Sequence, residues 1–202
     1  MNLQPSHLAF AAGTAVYLAI RAVFQHRAAS SRKAVSRADT RDRLLIVLAG
    51  ACQIGLPLIL MLTPWLDAAS YTQPVALTWA GALVMVCALW LFWRSHADLG
   101  TNWSVTLELS QNHRLITQGV YRRIRHPMYA SFFAMGLSQA LLLNNWIAGW
   151  AALLAVGVLY GIRTPHEERM MLESFGDEYR AYMQRTGGIL PRFVPRATTT
   201  NS

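Results

Sequence analysis

Long apolar stretches dominate the chain, and polar segments separate them. Residues 1–20, 44–66, 68–93 and 126–162 contain no Asp, Glu, Lys or Arg. A helix that crosses a bilayer needs about 20 predominantly apolar residues, so each stretch is long enough. The pattern therefore predicts an all-α integral membrane protein in which a single membrane domain covers residues 1–202.

The stretch at residues 126–162 is too long for one crossing. As a single helix it would extend about 55 Å, whereas the hydrocarbon core is roughly 30 Å thick. We expect the chain to reverse at Asn144 and Asn145, because asparagine tolerates left-handed backbone geometry and favours turns. The sequence thus predicts a C-terminal helical hairpin and five transmembrane helices, at approximately residues 8–24, 44–64, 75–93, 128–143 and 146–163.

The basic residues predict the orientation of these helices. If the N-terminus lies outside, all 18 Lys and Arg residues fall on the cytoplasmic side, within residues 21–43, 94–125 and 163–196. The outer loops then carry only Asp67. Such an excess of Lys and Arg is typical of cytoplasmic loops. We therefore expect a protein of a bacterial inner membrane, with its N-terminus outside and its C-terminus in the cytoplasm.

The composition agrees with a membrane protein and narrows the partners. The chain is 53% hydrophobic and 14% charged, whereas a soluble domain carries roughly 25% charged residues. Orientation and attraction to anionic membrane lipid explain the net charge of +8. Nucleic acid is not an expected partner of so apolar a chain. A metal ion is not expected either, because the sequence has neither His-Glu-x-x-His nor paired Cys and His spacing.

Polar composition also predicts the local structure outside the spans. Residues 27–43 predict a flexible linker, and residues 197–202 predict a disordered tail. Apolar and polar residues alternate in residues 105–109, which predicts the first strand of a short β-hairpin. Its turn would lie at residues 111–113 and its return strand at residues 115–116.

Two polar clusters stand at the two ends of the predicted helical hairpin. The hairpin would return the second cluster to the same side of the membrane as the first, within the cytoplasmic segments 94–127 and 164–196. We expect these segments to form the cofactor site, with short helices on both sides of Gly176. The clusters are Arg122, Arg123, Arg125 and His126, and then Arg163, His166, Glu167 and Glu168.

This combination suits a ligand such as S-adenosylmethionine, which carries a carboxylate, an ammonium and a sulfonium. Arg125 and His126 could bind the carboxylate by charge-assisted hydrogen bonds. Glu167 or Glu168 could bind the ammonium. An aromatic face could contact the adenine or the sulfonium. The candidates for that contact are Trp103, Tyr121 and Tyr129.

Simpler explanations exist for the same residues. Arginines beside a membrane span often anchor its topology or contact phospholipid, which covers Arg122, Arg123 and Arg125. Arg163 and Glu167 are four residues apart on a helix, where an exposed ion pair contributes about 0.2–0.5 kcal/mol. The spacing of the residues alone leaves these roles open.

Several short motifs follow one another through the C-terminal half. They are Leu99-Gly100 with Trp103-Ser104, Leu115-Ile116-Thr117 with Gly119-Val120-Tyr121, Arg125-His126-Pro127-Met128-Tyr129, and Glu167-Glu168 with Phe175-Gly176-Asp177-Glu178-Tyr179-Arg180-Ala181-Tyr182. Because these motifs occur in this order, the chain resembles the isoprenylcysteine carboxyl methyltransferase family. That family lies in a wider group with the phospholipid N-methyltransferases. One position departs from the family pattern, since Ser131 stands where a glycine is common.

The resemblance implies a multispan methyltransferase that binds S-adenosylmethionine at the cytoplasmic face, between the last two spans and the C-terminal segment. Its methyl acceptor would be a carboxylate, thiol or amine of a lipophilic or small molecule. Arg163 is a candidate for orienting the acceptor. An amine acceptor would also need a base, for which Glu168 or His126 could serve. By the same resemblance, His126, Pro127 and Tyr129 would line the cofactor pocket, and Glu167 or Glu168 would bind the cofactor. Together with Tyr121 and Arg125 from the chemical argument above, these are the predicted cofactor-binding residues.

Two other functions compete with this one. Membrane reductases of the sterol reductase type, which use NADPH, have a similar Tyr-x-x-x-Arg-His-Pro-x-Tyr entry to a late span. Here that entry begins at Tyr121 and ends at Tyr129. The adjacent Glu167 and Glu168 suit an ammonium better than a phosphate-rich dinucleotide. A membrane scaffold without enzymatic activity is the remaining alternative.

Overall fold

The structure is a computed structural model, and it describes residues 4–29, 33–36, 40–100, 108–110 and 115–192. Within these ranges the fold is mainly helical, with one small two-stranded sheet. Its principal elements are α1 (Pro5–Ala29), β1 (Lys33–Ser36), α2 (Thr40–Gly50), α3 (Leu56–Leu62), α4 (Val75–Leu99), β2 (Glu108–Ser110), α5 (Pro127–Leu143) and α6 (Trp146–Arg185).

The helices have the lengths and compositions expected of a membrane protein. A π-helical segment, Ala51–Gly55, joins α2 and α3 into one long unit. In the described part of the chain, four units are long and apolar enough to cross a membrane, namely α1, α2 with α3, α4 and α6, while the apolar α5 is shorter. The predicted class of an all-α integral membrane protein is therefore confirmed, and five crossings remain a prediction.

The chain reverses between α5 and α6 at two asparagines. Asn144 has left-handed backbone angles, with φ 48° and ψ 40°. Asn145 caps α6, because its Oδ1 accepts hydrogen bonds from the backbone N–H groups of Ile147 (3.1 Å) and Ala148 (2.9 Å). These contacts leave α5 and α6 antiparallel and in direct contact. The hairpin thus returns the polar end of α6 to the start of α5.

Helix α5 occupies the centre of the bundle. It packs against α1, α4 and α6. The backbones approach closely at glycines: a Cβ on Gly136 would lie 3.0 Å from the backbone of Leu153, and one on Gly149 would lie 3.3 Å from Cα of Ala140. Ser138 also donates a hydrogen bond to the carbonyl of Gly81 in α4 (2.8 Å). Small residues are the usual means of bringing membrane helices together.

Substituting alanine for Gly136 is expected to destabilise the protein by roughly 1–3 kcal/mol, since the added methyl group has no room against Leu153. The matched control is Gly161→Ala in α6, where nothing lies within 4 Å of the added Cβ. Thermal unfolding in one detergent compares the two variants. Equal melting temperatures for Gly136→Ala and the wild type would contradict this description of the α5–α6 contact.

The predicted β-hairpin is wrong. β2 pairs antiparallel with β1, with Val35 opposite Leu109, and residues 115–116 form no strand. The predicted turn at residues 111–113 lies outside the described residues. The linker prediction for residues 27–43 is wrong where α1, β1 and α2 occupy it. The alternating pattern is too short to specify a partner strand, because strand pairing depends on distant residues.

The C-terminal region is helical on both sides of Gly176, as the sequence predicted. α6 is continuous except at Gly176, whose backbone angles (φ 51°, ψ −122°) separate a helical piece on each side. Only glycine adopts such angles without strain. Residues 197–202, the predicted tail, lie outside the described residues. Gly176 therefore sets the direction in which the final helical piece crosses back towards the start of α5.

Candidate functional site

The fold brings the two predicted polar clusters together. His126 precedes α5, and its Nε2 lies 3.0 Å from Oε1 of Glu168 on α6. The hydroxyl of Tyr129, on the first turn of α5, donates to Oε1 of Glu167 at 2.7 Å. Pro127 is buried at the first position of α5, where its missing N–H leaves no helical bond unmade. The α5–α6 hairpin thus places two carboxylates against residues that precede them by about 40 positions.

Arg125 holds the end of α6. Its Nε donates to Oε1 of Glu168 at 3.0 Å, and its Nη1 donates to the carbonyls of Thr186 (2.6 Å) and Met183 (3.2 Å). Only 14% of the Arg125 side chain is exposed. The guanidinium therefore already has partners on three residues. Cofactor binding by Arg125 remains a prediction. Its structural role in joining the start of α5 to the end of α6 could not be seen from the spacing of residues in the sequence.

The backbone reinforces this contact. The N–H groups of Arg125 and His126 donate to the carbonyls of Gly187 (2.8 Å) and Gly188 (3.0 Å). The N–H of Gly187 returns a bond to the carbonyl of Arg123 (3.1 Å). We call the whole arrangement, residues 123–126 with residues 183–188, the C-terminal latch. The latch fixes the chain beyond α6 beside His126.

Tyr121 is buried between α4 and α6. Its hydroxyl donates to the carbonyl of Ser95 in α4 (3.3 Å), and its own carbonyl accepts from the hydroxyl of Tyr182 (2.6 Å). Asp98 of α4 supports the same turn by accepting from the N–H of Val120 (2.9 Å). Tyr121 therefore connects the last part of α6 to α4. Its predicted contact with a cofactor remains a prediction.

Arg163 has hydrogen-bonding capacity to spare. Its side chain is 8% exposed, and its closest carboxylate contact is 3.6 Å, from Nη2 to Oε1 of Glu167. In the described part of the chain, Nε of Arg163 and the hydroxyl of Thr164 are buried without a hydrogen-bond partner. Buried polar groups in native proteins are nearly always bonded. An anionic ligand group at this place would satisfy Arg163.

The two adjacent glutamates differ in their electrostatic environment. Burial raises the pKa of Glu167, against the opposing effect of the Arg163 and His126 side chains. The hydrogen bond with His126, together with Arg125, lowers the pKa of Glu168. Glu168 is thus an ionised carboxylate that is already paired with Arg125 and His126. A cation placed beside Glu167 would stabilise the ionised form of that residue.

Tyr160 belongs to the same cluster, although the sequence analysis missed it. Its ring centroid lies 5.4 Å from that of Tyr129 and 6.0 Å from that of His126. Tyr160 precedes Arg163 by three positions and Glu167 by seven, and this spacing places all three on one face of a helix. That periodicity was the available signal.

The remaining candidates lie elsewhere. His166 is exposed, and Trp103 is outside the described residues. Ser131, the departure from the family pattern, is fully buried and donates to the carbonyl of Met128 (2.6 Å) in its own helix. Within the described ranges, no group of three His, Cys, Asp or Glu side chains could hold a metal ion. The absence of a metal cofactor stays a prediction.

Comparison with known proteins agrees with this architecture. The model of the isoprenylcysteine carboxyl methyltransferase (ICMT) family matches residues 79–173. The human protein-S-isoprenylcysteine O-methyltransferase is 33% identical over 120 residues, which cover 57% of this chain and 42% of the human protein. A probable protein-S-isoprenylcysteine O-methyltransferase of Oryza sativa subsp. indica is 33% identical over 87 residues, covering 43% of this chain and 46% of that protein.

A solved structure shows the same likeness over more of the chain. The eukaryotic intramembrane Ras methyltransferase ICMT matches with a TM-score of 0.63 and 25% identity, over 94% of this chain and 68% of that one. In the human and the rice relative, the region that aligns with this chain covers less than half of the relative's own length.

Fold and site together define an integral membrane protein with the architecture of intramembrane methyltransferases. Within that class, the chain is related to the isoprenylcysteine carboxyl methyltransferase family. The resemblance predicted from the motifs is confirmed.

Proposed function

We propose that this protein is an integral membrane methyltransferase that transfers a methyl group from S-adenosylmethionine to a lipophilic or small acceptor. The observation that carries the proposal is the pairing of the Arg-His-Pro-x-Tyr segment with two adjacent glutamates of unequal environment. The relationship to the ICMT family supports it.

The described residues fit the chemical groups of this cofactor. A half-buried carboxylate whose pKa is raised by burial, Glu167, suits an ammonium. The candidates for the carboxylate of the cofactor remain Arg125 and His126, and the buried, unpartnered Nε of Arg163 is available to the anionic group of an acceptor. His126, Pro127 and Tyr129 form the wall beside them. S-adenosylmethionine supplies an electrophilic methyl group on a positively charged sulfur.

The surrounding residues favour an acceptor that arrives already ionised. Glu168 has a lowered pKa and bonds to Arg125 and His126, so it is a weak base. Removing a proton from an ammonium group would therefore be unfavourable here. A carboxylate or thiolate needs no such step, and Arg163 would orient its negative charge. Positioning and exclusion of water would then supply most of the rate enhancement.

Incubating purified protein with methyl-labelled S-adenosylmethionine and three acceptor classes tests this function. The classes are prenylcysteine analogues with a free carboxylate, small thiols, and lipid extracts. We expect transfer to a carboxylate, recognised by loss of the label on mild alkaline hydrolysis, and a strong reduction in Arg163→Ala. Absence of transfer to all three classes would contradict the proposal.

The proposed orientation places the α5–α6 turn outside and the latch in the cytoplasm. A Trp146→Cys variant, with Cys52 and Cys87 replaced by alanine, tests it at a side chain that is 63% exposed. An impermeant thiol reagent should label it in intact bacterial cells. The matched control, Arg122→Cys on the cytoplasmic side, should react only after the membrane is opened. The reverse pattern would overturn the orientation.

A further inference from the structure

Tyr160 is the least explained residue of the cluster. Three rings surround it nearly edge to face: Tyr129 at 5.4 Å and 72°, Phe133 at 5.7 Å and 74°, and His126 at 6.0 Å and 82°. The N-terminal part of α5 and the residue before it thus hold the ring from one side. Tyr160 itself is only half-buried, so part of the ring remains accessible.

The latch holds the same side chain from the other direction. A Cβ on Gly188 would lie 2.9 Å from the hydroxyl oxygen of Tyr160, so the glycine leaves room for that hydroxyl. The backbone N–H of His126 donates to the carbonyl of Gly188, which fixes the glycine in place. Tyr160 therefore has a defined position between α5 and the latch.

The chemistry around this ring suits a cation. The face of a tyrosine carries partial negative charge and attracts a cation within about 6 Å of the ring centroid. Glu167 lies two helical turns beyond Tyr160 on the same face of α6. Its carboxylate accepts a hydrogen bond from the hydroxyl of Tyr129, whose ring is the nearest to Tyr160. An ammonium bound at Glu167 would leave a second positive charge of the same ligand within reach of these rings.

We infer that Tyr160 and Tyr129 form a cation subsite that recognises the sulfonium of the cofactor and sets the preference for S-adenosylmethionine over its neutral product, S-adenosylhomocysteine. The inference rests on the proposed function. Methyl transfer forms a bond from the acceptor to carbon, and the electron pair of the broken S–C bond returns to sulfur. The positive charge disappears, so Tyr160 holds the charged cofactor and releases the neutral product.

The test compares the dissociation constants of both ligands, which share the ammonium and the carboxylate and differ at the sulfur. In Tyr160→Leu, we expect the preference for S-adenosylmethionine over S-adenosylhomocysteine to fall about threefold to thirtyfold. Tyr160→Phe keeps the ring and should keep the preference. Glu167→Gln should weaken both ligands by similar factors, which leaves the ratio unchanged.

Each outcome of this test has one reading. If Tyr160→Leu weakens both ligands equally, or neither, Tyr160 only supports the latch and the inference is overturned. If the wild type binds neither ligand, the proposed function fails first. A melting temperature of Tyr160→Leu close to that of Tyr160→Phe shows that both variants are folded and that the ratio reports binding.

Discussion

Replacing Arg125 with alanine is expected to release the C-terminal latch and to lower the free energy of unfolding by about 3 kcal/mol. The substitution removes one of the two partners of Glu168, leaving His126, and it deprives the carbonyls of Met183 and Thr186 of their guanidinium donor. A carboxylate left half-buried without its guanidinium is strongly destabilising. Thermal unfolding measures the loss, and faster tryptic cleavage after Arg185 reports the opened latch.

The neighbouring arginines supply the controls. Arg122 and Arg123 are exposed, and their replacement by alanine should leave the melting temperature and the cleavage rate unchanged. Arg125→Lys should fall between the wild type and alanine, because an ammonium cannot reproduce the planar set of donors. If Arg125→Ala has the same melting temperature and the same tryptic cleavage rate as Arg123→Ala, the latch does not depend on Arg125.

The second large effect is expected at Glu167. Glu167→Gln should weaken S-adenosylmethionine binding about tenfold to a hundredfold, since it removes a charged partner of the ammonium. Folding stability should stay the same or rise. The pKa of Glu167 is raised in the fold, so its ionised form opposes folding at neutral pH, and glutamine relieves that opposition.

Glu168→Gln is the matched comparison on the adjacent residue. The pKa of Glu168 is lowered, so its ionised form stabilises the fold at pH values above the pKa of the unfolded chain. That contribution is lost as the pH falls through the lowered pKa. We therefore expect Glu168→Gln to lower the melting temperature at neutral pH. An unchanged melting temperature would show that the contacts of Glu168 with Arg125 and His126 do not stabilise the fold.

The pH dependence of binding separates the two glutamates further. Only the ionised form of Glu167 binds an ammonium, so the wild-type affinity should decrease as the pH falls towards the raised pKa of this residue. The groups that act on this titration are Arg163, His126, Tyr129 and Asp42. Glu167→Gln should show a flatter profile. A profile identical to that of the wild type would show that the dependence does not come from Glu167.

The membrane helices and the meeting of the polar clusters were predictable from the sequence. Charge-free stretches mark membrane helices because charged groups are costly in lipid. Asn144 and Asn145 interrupt the longest stretch with residues that form turns. The hairpin then determines which polar residues share one end of the bundle. These inferences needed only local patterns and chain length.

The rest of the site depends on contacts that leave no local pattern. Arg125 binds the carbonyls of Met183 and Thr186, and a backbone acceptor has no side-chain signature. Helical spacing places Tyr160 on one face with Arg163 and Glu167, but its packing against Tyr129 and His126 has no signature in the sequence. The pairing of β1 with β2 joins segments more than 70 positions apart. Such long-range contacts could be identified only in the folded structure.

Titration calorimetry of the purified protein tests the central claim most directly, with S-adenosylmethionine and NADPH examined in separate experiments. The proposed function predicts saturable binding of S-adenosylmethionine that is weakened in Glu167→Gln, and no binding of NADPH. Saturable binding of NADPH without any response to S-adenosylmethionine would contradict it.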